Sequence, residues 1–166
     1  STLSIQNHSS VQFTKHSDGS IRVNSPIKIN NKKIISNKDY WSIEASHDGY
    51  NKRFGITHMR KIDFFHDTQK LAGVDRIQKK NNKSYNFEIR FHLIPETKIM
   101  KTQDNKTIYI DVQGEGWRFN SKNCNIDFET GLYFGLKNNF AENQNIVISG
   151  IVDKNDQEFT WELSKI

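Results

Sequence analysis

Residues 46–60, Ser-His-Asp-Gly-Tyr-Asn-Lys-Arg-Phe-Gly-Ile-Thr-His-Met-Arg, gather two imidazoles, a phenol and two guanidinium groups into one short stretch. His47, Tyr50, Arg53, His58 and Arg60 are the residue types that move a proton and hold an anion. Imidazole and phenol serve general acid–base steps, and a guanidinium grips a carboxylate through paired N–H donors. Strand alternation puts His58, Arg60 and Ile62 on one face and Thr57, Met59 and Lys61 on the other, so His58 and Arg60 are predicted neighbours.

The elements that must position these groups are strands and a break between them. His47-Asp48-Gly49-Tyr50 follows the strand-like Trp41-Ser42-Ile43-Glu44-Ala45 and contains a glycine, which predicts a turn or bulge that re-aims side chains. The alternative for this segment is an Asx-type turn with a half-buried Tyr50. Unaided, Arg53 and Arg60 are more often surface ion-pair partners, and Arg60 also reads as a strand residue paired with an acid such as Asp63 or Asp75. His58 and His92 each sit inside an apolar strand, where an imidazole is more often a hydrogen-bonded interior residue than a ligand. No set of His and carboxylates at zinc spacing is complete, and His8, His16 and His66 lie in polar surroundings and receive no role.

Helical periodicity is nearly absent, whereas short alternating or apolar runs recur between Asn, Gly, Asp and Lys clusters. Strands are predicted over 3–5, 21–23, 27–29, 40–46, 56–65, 70–79, 85–93, 98–101, 107–112, 116–120, 126–133, 144–152 and 159–165, enough for an antiparallel two-sheet β-sandwich. The polar segments 100–107 and 152–159 read as hairpin turns of a meander. Gly114-Glu115-Gly116 reads as a tight hairpin that buries Trp117.

The 166 residues are the size of one domain. A hydrophobic share of 34% is low, but three Trp, five Tyr and eleven Phe supply a thin, aromatic-rich core. The single Cys124 excludes an internal disulfide and a multi-Cys zinc site. The net charge of +5 is dispersed, with Asn30-Asn31-Lys32-Lys33 and Lys79-Lys80-Asn81-Asn82-Lys83 reading as solvated turns. No RNP-like aromatic stripe stands beside a basic cluster, so no nucleic-acid partner is expected. No run approaches the roughly eighteen apolar residues of a membrane span. Leu3 and Ile5 read like a strand entered in its middle, which predicts a fragment lacking an N-terminal part.

Taken in order, Ser1-Thr2-Leu3-Ser4-Ile5, His47-Asp48-Gly49-Tyr50 with Arg53-Phe54-Gly55 and His58-Met59-Arg60, Leu71-Ala72-Gly73-Val74-Asp75, Ile89-Arg90-Phe91-His92-Leu93, Gly114-Glu115-Gly116-Trp117 and Ile146-Val147-Ile148-Ser149-Gly150 with Trp161 make nearly the whole chain resemble the C-terminal domain of bacterial heparinase II/III-like proteins.

The resemblance implies a sandwich of that type, residues 1–166 forming one domain that lacks an upstream α/α toroid and the first sandwich strands. It implies a periplasmic or secreted parent acting by β-elimination on uronic-acid polysaccharides such as glycosaminoglycans or alginate. A base takes the proton beside the uronate carboxylate, positive groups hold the resulting charge, and an acid protonates the departing glycosidic oxygen. The principal Tyr and His would come from the toroid, leaving this chain inactive alone.

His47 and Tyr50 are then expected as proton-handling groups, Arg53 and Arg60 as carboxylate partners, and His58 as a second substrate-contacting candidate. No metal ligand is carried over, because the His of a possible structural zinc site in the full-length parent would precede Ser1. The competing expectation is a non-catalytic carbohydrate-binding or structural sandwich, with Tyr40, Trp41 or Trp117 stacking on sugars.

Overall fold

A computed structural model describes residues 2–23, 27–137 and 139–166. Ser1, where the resemblance begins, lies outside the described residues. Among the described residues fourteen strands and one short helix follow in order: β1 (Thr2–Ile5), β2 (Phe13–Lys15), β3 (Ile21–Val23), β4 (Ile29–Ser36), β5 (Tyr40–Tyr50), α1 (Asn51–Phe54), β6 (Ile56–Phe65), β7 (Lys70–Lys79), β8 (Tyr85–His92), β9 (Lys98–Lys101), β10 (Thr107–Val112), β11 (Glu115–Ser121), β12 (Asn125–Leu136), β13 (Asn139–Val152) and β14 (Asp156–Lys165). A large sheet has the order β4-β5-β6-β7-β14-β11-β10-β9, a smaller one β1-β8-β13-β12, and β2 pairs with β3 as a separate ribbon. The described strand pairs are antiparallel.

The two main sheets face each other across an aromatic and isoleucine-rich core. Ile56, Ile77, Ile108, Phe119, Phe159 and Trp161 project from the large sheet onto Phe87, Ile89, Ile126, Ile146 and Ile148 of the small one. Ring pairs cross the gap: Phe87 with Phe159 at 4.1 Å, and Phe91 with Trp161 at 4.7 Å and Phe119 at 4.9 Å between centroids. These spacings are those of tilted and edge-to-face packing, and the large rings supply a core that the low apolar share alone would leave thin. The antiparallel sandwich expected from the sequence is the observed fold.

Several local expectations change. Asn30-Asn31-Lys32-Lys33 is not a turn: it lies within the exposed edge strand β4, whose register slips between Asn30 and Lys33 where Asn31 takes a φ of 52°. An edge strand with both faces wet tolerates such polar residues, and Lys there discourages pairing with another chain. Strand pairing begins at Ile29 rather than spanning 27–29, and the β2 ribbon and α1 were not anticipated. The 152–159 segment is not a hairpin either. It carries the chain from β13 in the small sheet to β14, which inserts between β7 and β11 of the large one.

The Gly114 expectation holds. Gln113 and Gly114 take φ values of 54° and 86° in the two-residue turn between β10 and β11, the pairing Val112↔Glu115 closing the hairpin. Positive φ at both central positions matches the twist of the flanking strands. Trp117 is partly buried against the core.

Candidate functional site

The segment with the most chemistry forms the end of β5, the short α1 and the start of β6. His47 pairs with His58, but the next matched pair is Tyr50↔Ile56, so two residues, Asp48 and Gly49, bulge out of the ladder. The expected re-aiming bulge is therefore present inside a longer strand. Gly49 is required there, since a Cβ would stand 2.7 Å from the carbonyl oxygen of Ser10 and 3.2 Å from Nδ1 of His47. Gly55 closes α1 in the left-handed region at φ 67° and turns the chain into β6.

Register then assembles the site on the inward face. Ala45, Arg60, Asp75 and Phe159 stand opposite one another across β5, β6, β7 and β14, and His47, His58 and Ile77 form the adjacent row. Asp75, fully buried, is the hub. Arg60 Nε donates to its Oδ1 at 2.7 Å, His58 Nε2 lies 2.6 Å from the same oxygen, and Trp161 Nε1 donates to Oδ2 at 2.9 Å. Arg60 reaches straight across the ladder, while His58 and Trp161 reach it diagonally, as long side chains in a sheet can. Gly73 makes the Trp161 approach possible: a Cβ there would lie 2.1 Å from the indole.

The proton positions follow from the network. The Gly49 backbone N–H can only donate, and it lies 3.2 Å from Nδ1 of His47, which must accept. A neutral His47 therefore carries its proton on Nε2 and donates to Nδ1 of His58 at 3.0 Å. His58 in turn carries its proton on Nε2, where Asp75 receives it. One direction of donation runs from the bulge to the buried carboxylate.

Electrostatics agree with this direction. Burial works to raise the Asp75 pKa, but the hydrogen bond from His58 and the charge of Arg60 outweigh it and hold the carboxyl below its ordinary value. His47 is pushed down from 6.5 to about 4 by burial and by the charges of His58 and Arg60, with Asp48 pulling the other way. Burial lifts the Tyr50 phenol from 10.0 to about 12.

A cleft of about 350 Å³ opens on this face. Leu3, Ile29, Ile43 and Ile62 form its apolar wall, and His47, His58 and Arg60 bring polar groups to it. Of the five residues singled out by sequence, these three come together there. Arg53 does not join them: it borders a separate groove of about 600 Å³ with Asp48, Asn51 and Lys52, the two spaces sharing Ser10. Tyr50 is 1% exposed and its hydroxyl donates to the carbonyl oxygen of Leu3, tying β5 to β1 within the core. Asp75 was visible in the sequence as one possible partner for Arg60 and as the end of Leu71-Ala72-Gly73-Val74-Asp75, and Trp161 as a closing motif residue. Their meeting depends on strands far apart in the chain.

These residues do not fit a zinc site. His58 has Nδ1 on His47 and Nε2 on Asp75, so the three side chains do not converge on one point. Among the described residues no three His, Cys, Asp or Glu side chains are grouped to hold a metal ion. The structural zinc implied for a full-length parent finds no ligand set in them. No described helix is long and apolar enough to cross a membrane.

Fold and site together define an antiparallel two-sheet sandwich with a carboxylate-anchored imidazole pair on its inner face. Residues 1–162 match the C-terminal domain of heparinase II/III-like proteins, and the chain belongs to that family. Among solved structures it is similar to the heparan sulfate lyase HepC from Pedobacter heparinus, at 13% identity and a TM-score of 0.73 over 99% of this chain and 23% of that one. The heparinase III BT4657 gene product matches at 10% identity and 0.73, and a further heparinase III at 12% and 0.67, over the same shares of each chain. No curated protein sequence matches the chain. The chain thus spans 23% of the length of these solved structures, and the likeness is one of fold.

Proposed function

We propose that this domain is the sandwich of a bacterial, periplasmic or secreted polysaccharide lyase, and that its Arg60 cleft receives a uronic-acid unit during β-elimination. The observation that carries this reading is the placement of Arg60, His47 and His58 in one cleft beside the apolar Leu3, Ile29, Ile43 and Ile62. A uronate presents the same two aspects, a carboxylate and a C–H-rich ring face. Arg60 is held by Asp75, so its orientation is fixed before an anion arrives and little ordering entropy is lost on binding. Its charge is shared with Asp75, and the attraction for a carboxylate is correspondingly moderate.

In this reading the upstream α/α toroid supplies the remaining base and acid, and the sandwich supplies anion contact and one face of the cleft. The test is a nuclear magnetic resonance titration of the chain with a uronate oligosaccharide and with a neutral one of equal length, alongside a product assay on the full-length protein. Salt-sensitive shifts at Arg60, His47 and His58 with the uronate alone, and loss of unsaturated product in the full-length Arg60→Lys variant, are expected. Equal response to both sugars, or unchanged product formation, rejects the assignment.

A second reading, a non-catalytic carbohydrate-binding module, draws on one specific feature. Trp41 and Phe64 stack at 5.7 Å on the same sheet face as Ile43 and Ile62, beyond the cleft. Binding of the neutral sugar that disappears in a folded Trp41→Ala variant favours it.

A further inference from the structure

We propose that His47, His58 and Asp75 form a proton relay that takes up a proton at Nδ1 of His47 and rests the resulting charge on His58, with Asp75 as the positioning residue. The proposal deepens the cleft reading above by naming the atom that receives a proton, and it can fail while that reading stands.

The geometry fixes the starting state. Both rings carry their proton on Nε2, and the Gly49 N–H at 3.2 Å is the longest contact in the chain of donors. Nδ1 of His47 sits beside Ser10 and Gly49, where the cleft and the neighbouring groove meet. A proton arriving from an acidic X–H group leaves its bonding electron pair on X and forms a bond to His47 Nδ1. The proton on His47 Nε2 then passes to Nδ1 of His58. His47 ends neutral with its proton on Nδ1, and His58 ends as an imidazolium whose Nε2–H still points at Asp75. Only the Gly49 hydrogen bond is lost. Reversal of the same movement returns the proton to a departing oxygen.

The surroundings explain why the charge would not stay on His47. That ring is faced by Asp48 and Tyr50 from its own strand and by His58 and Arg60 from β6. Burial, with the Arg60 guanidinium and the charge His58 carries once it is protonated, outweighs Asp48, which is the cause of the depressed His47 pKa. His58 is faced by His47, Arg60 and the ionised Asp75, and Asp75 is the group in hydrogen-bond contact with its second nitrogen. The three donors on Asp75 also keep that carboxylate from turning, so the direction of donation is set by the buried end of the chain.

Long-range proton–nitrogen correlation of the two imidazoles, followed as pH is lowered on the 166-residue chain, tests this directly. Both rings should begin as Nε2–H tautomers. On acidification His47 should change to the Nδ1–H tautomer as His58 gains its second proton. In Asp75→Asn the pair should need a proton concentration about tenfold higher for the same uptake, a shift of about one pH unit. A His47 that becomes the imidazolium while His58 stays neutral overturns the proposal, as does an Nδ1–H tautomer on either ring at neutral pH. If Asp75→Asn does not fold, the titration of the unaltered chain decides alone. Saccharide binding plays no part in this measurement, so its absence bears only on the cleft reading.

Discussion

Arg60 stands directly across the β6–β7 ladder from Asp75, and its Nε–H meets the buried carboxylate at 2.7 Å. His58 and Trp161 reach the same carboxylate from diagonal positions, so one side chain on β7 ties together β6 and β14. Removing the charge leaves three donors facing a group that can accept from fewer of them. Asp75→Asn should lower unfolding free energy by about 3 kcal/mol, the range for breaking a buried ion pair by losing one partner. Urea unfolding measures it, and a loss below about 1 kcal/mol would mean that the network does not hold the strands.

Gly73 should tolerate no side chain. The indole of Trp161 crosses it so closely that a Cβ would fall 2.1 Å from two ring atoms, and those ring atoms belong to a rigid plane packed against Phe91. Gly73→Ala should cost about 3 kcal/mol, combining overpacking with loss of the Trp161–Asp75 hydrogen bond. Thermal unfolding and a changed tryptophan emission spectrum report both parts.

Tyr50 gives the domain an alkaline limit. Its phenol is raised from 10.0 to about 12, so between those values the folded state holds a proton that the unfolded state has released. Stability from this group is complete below pH 10 and falls as pH rises through 12, by about 2–3 kcal/mol in all. Tyr50→Phe should flatten that part of the stability profile and cost about 1–2 kcal/mol at neutral pH, through the carbonyl left on Leu3.

Arg53 and Arg60 should separate in mutation. Arg53 is exposed and borders the groove outside the cleft, so Arg53→Ala should change stability by no more than about 0.5 kcal/mol. Arg60→Lys loses the planar fork and should weaken uronate binding about tenfold. Parallel melting curves and titrations of the two variants distinguish them.

The sandwich was legible because alternation is a local signal. Strands β6, β7, β9 and β10 run over the residues that their apolar and polar alternation marks out. β4 escaped because its eight residues are all exposed and an edge strand needs no buried face. The 152–159 segment misled because a polar turn looks the same whether the next strand returns to its own sheet or crosses to the other.

The site was half legible for a related reason. Same-face spacing predicted that His58 and Arg60 are neighbours, and Asp75 was among the acids weighed as partners of Arg60. The contribution of Trp161 depends on the β7–β14 register, which no local pattern reports. Tyr50 reads in sequence as a proton-handling phenol or as a half-buried turn residue, and its bond to Leu3 becomes visible only when the sheet that holds β1 packs on the one that holds β5.

Asp75 and Trp161 are 86 residues apart, and β14 is inserted between two strands, β7 and β11, that precede it in sequence. Closing a loop of that size costs conformational entropy before any contact repays it, so β14 is poised to dock late in folding. Until it does, the carboxylate lacks its indole donor and β7 has an unpaired edge. The buried carboxylate that anchors the imidazole pair therefore gains its full set of donors only once β14 is in place, which makes the geometry of the site a mark of completed folding.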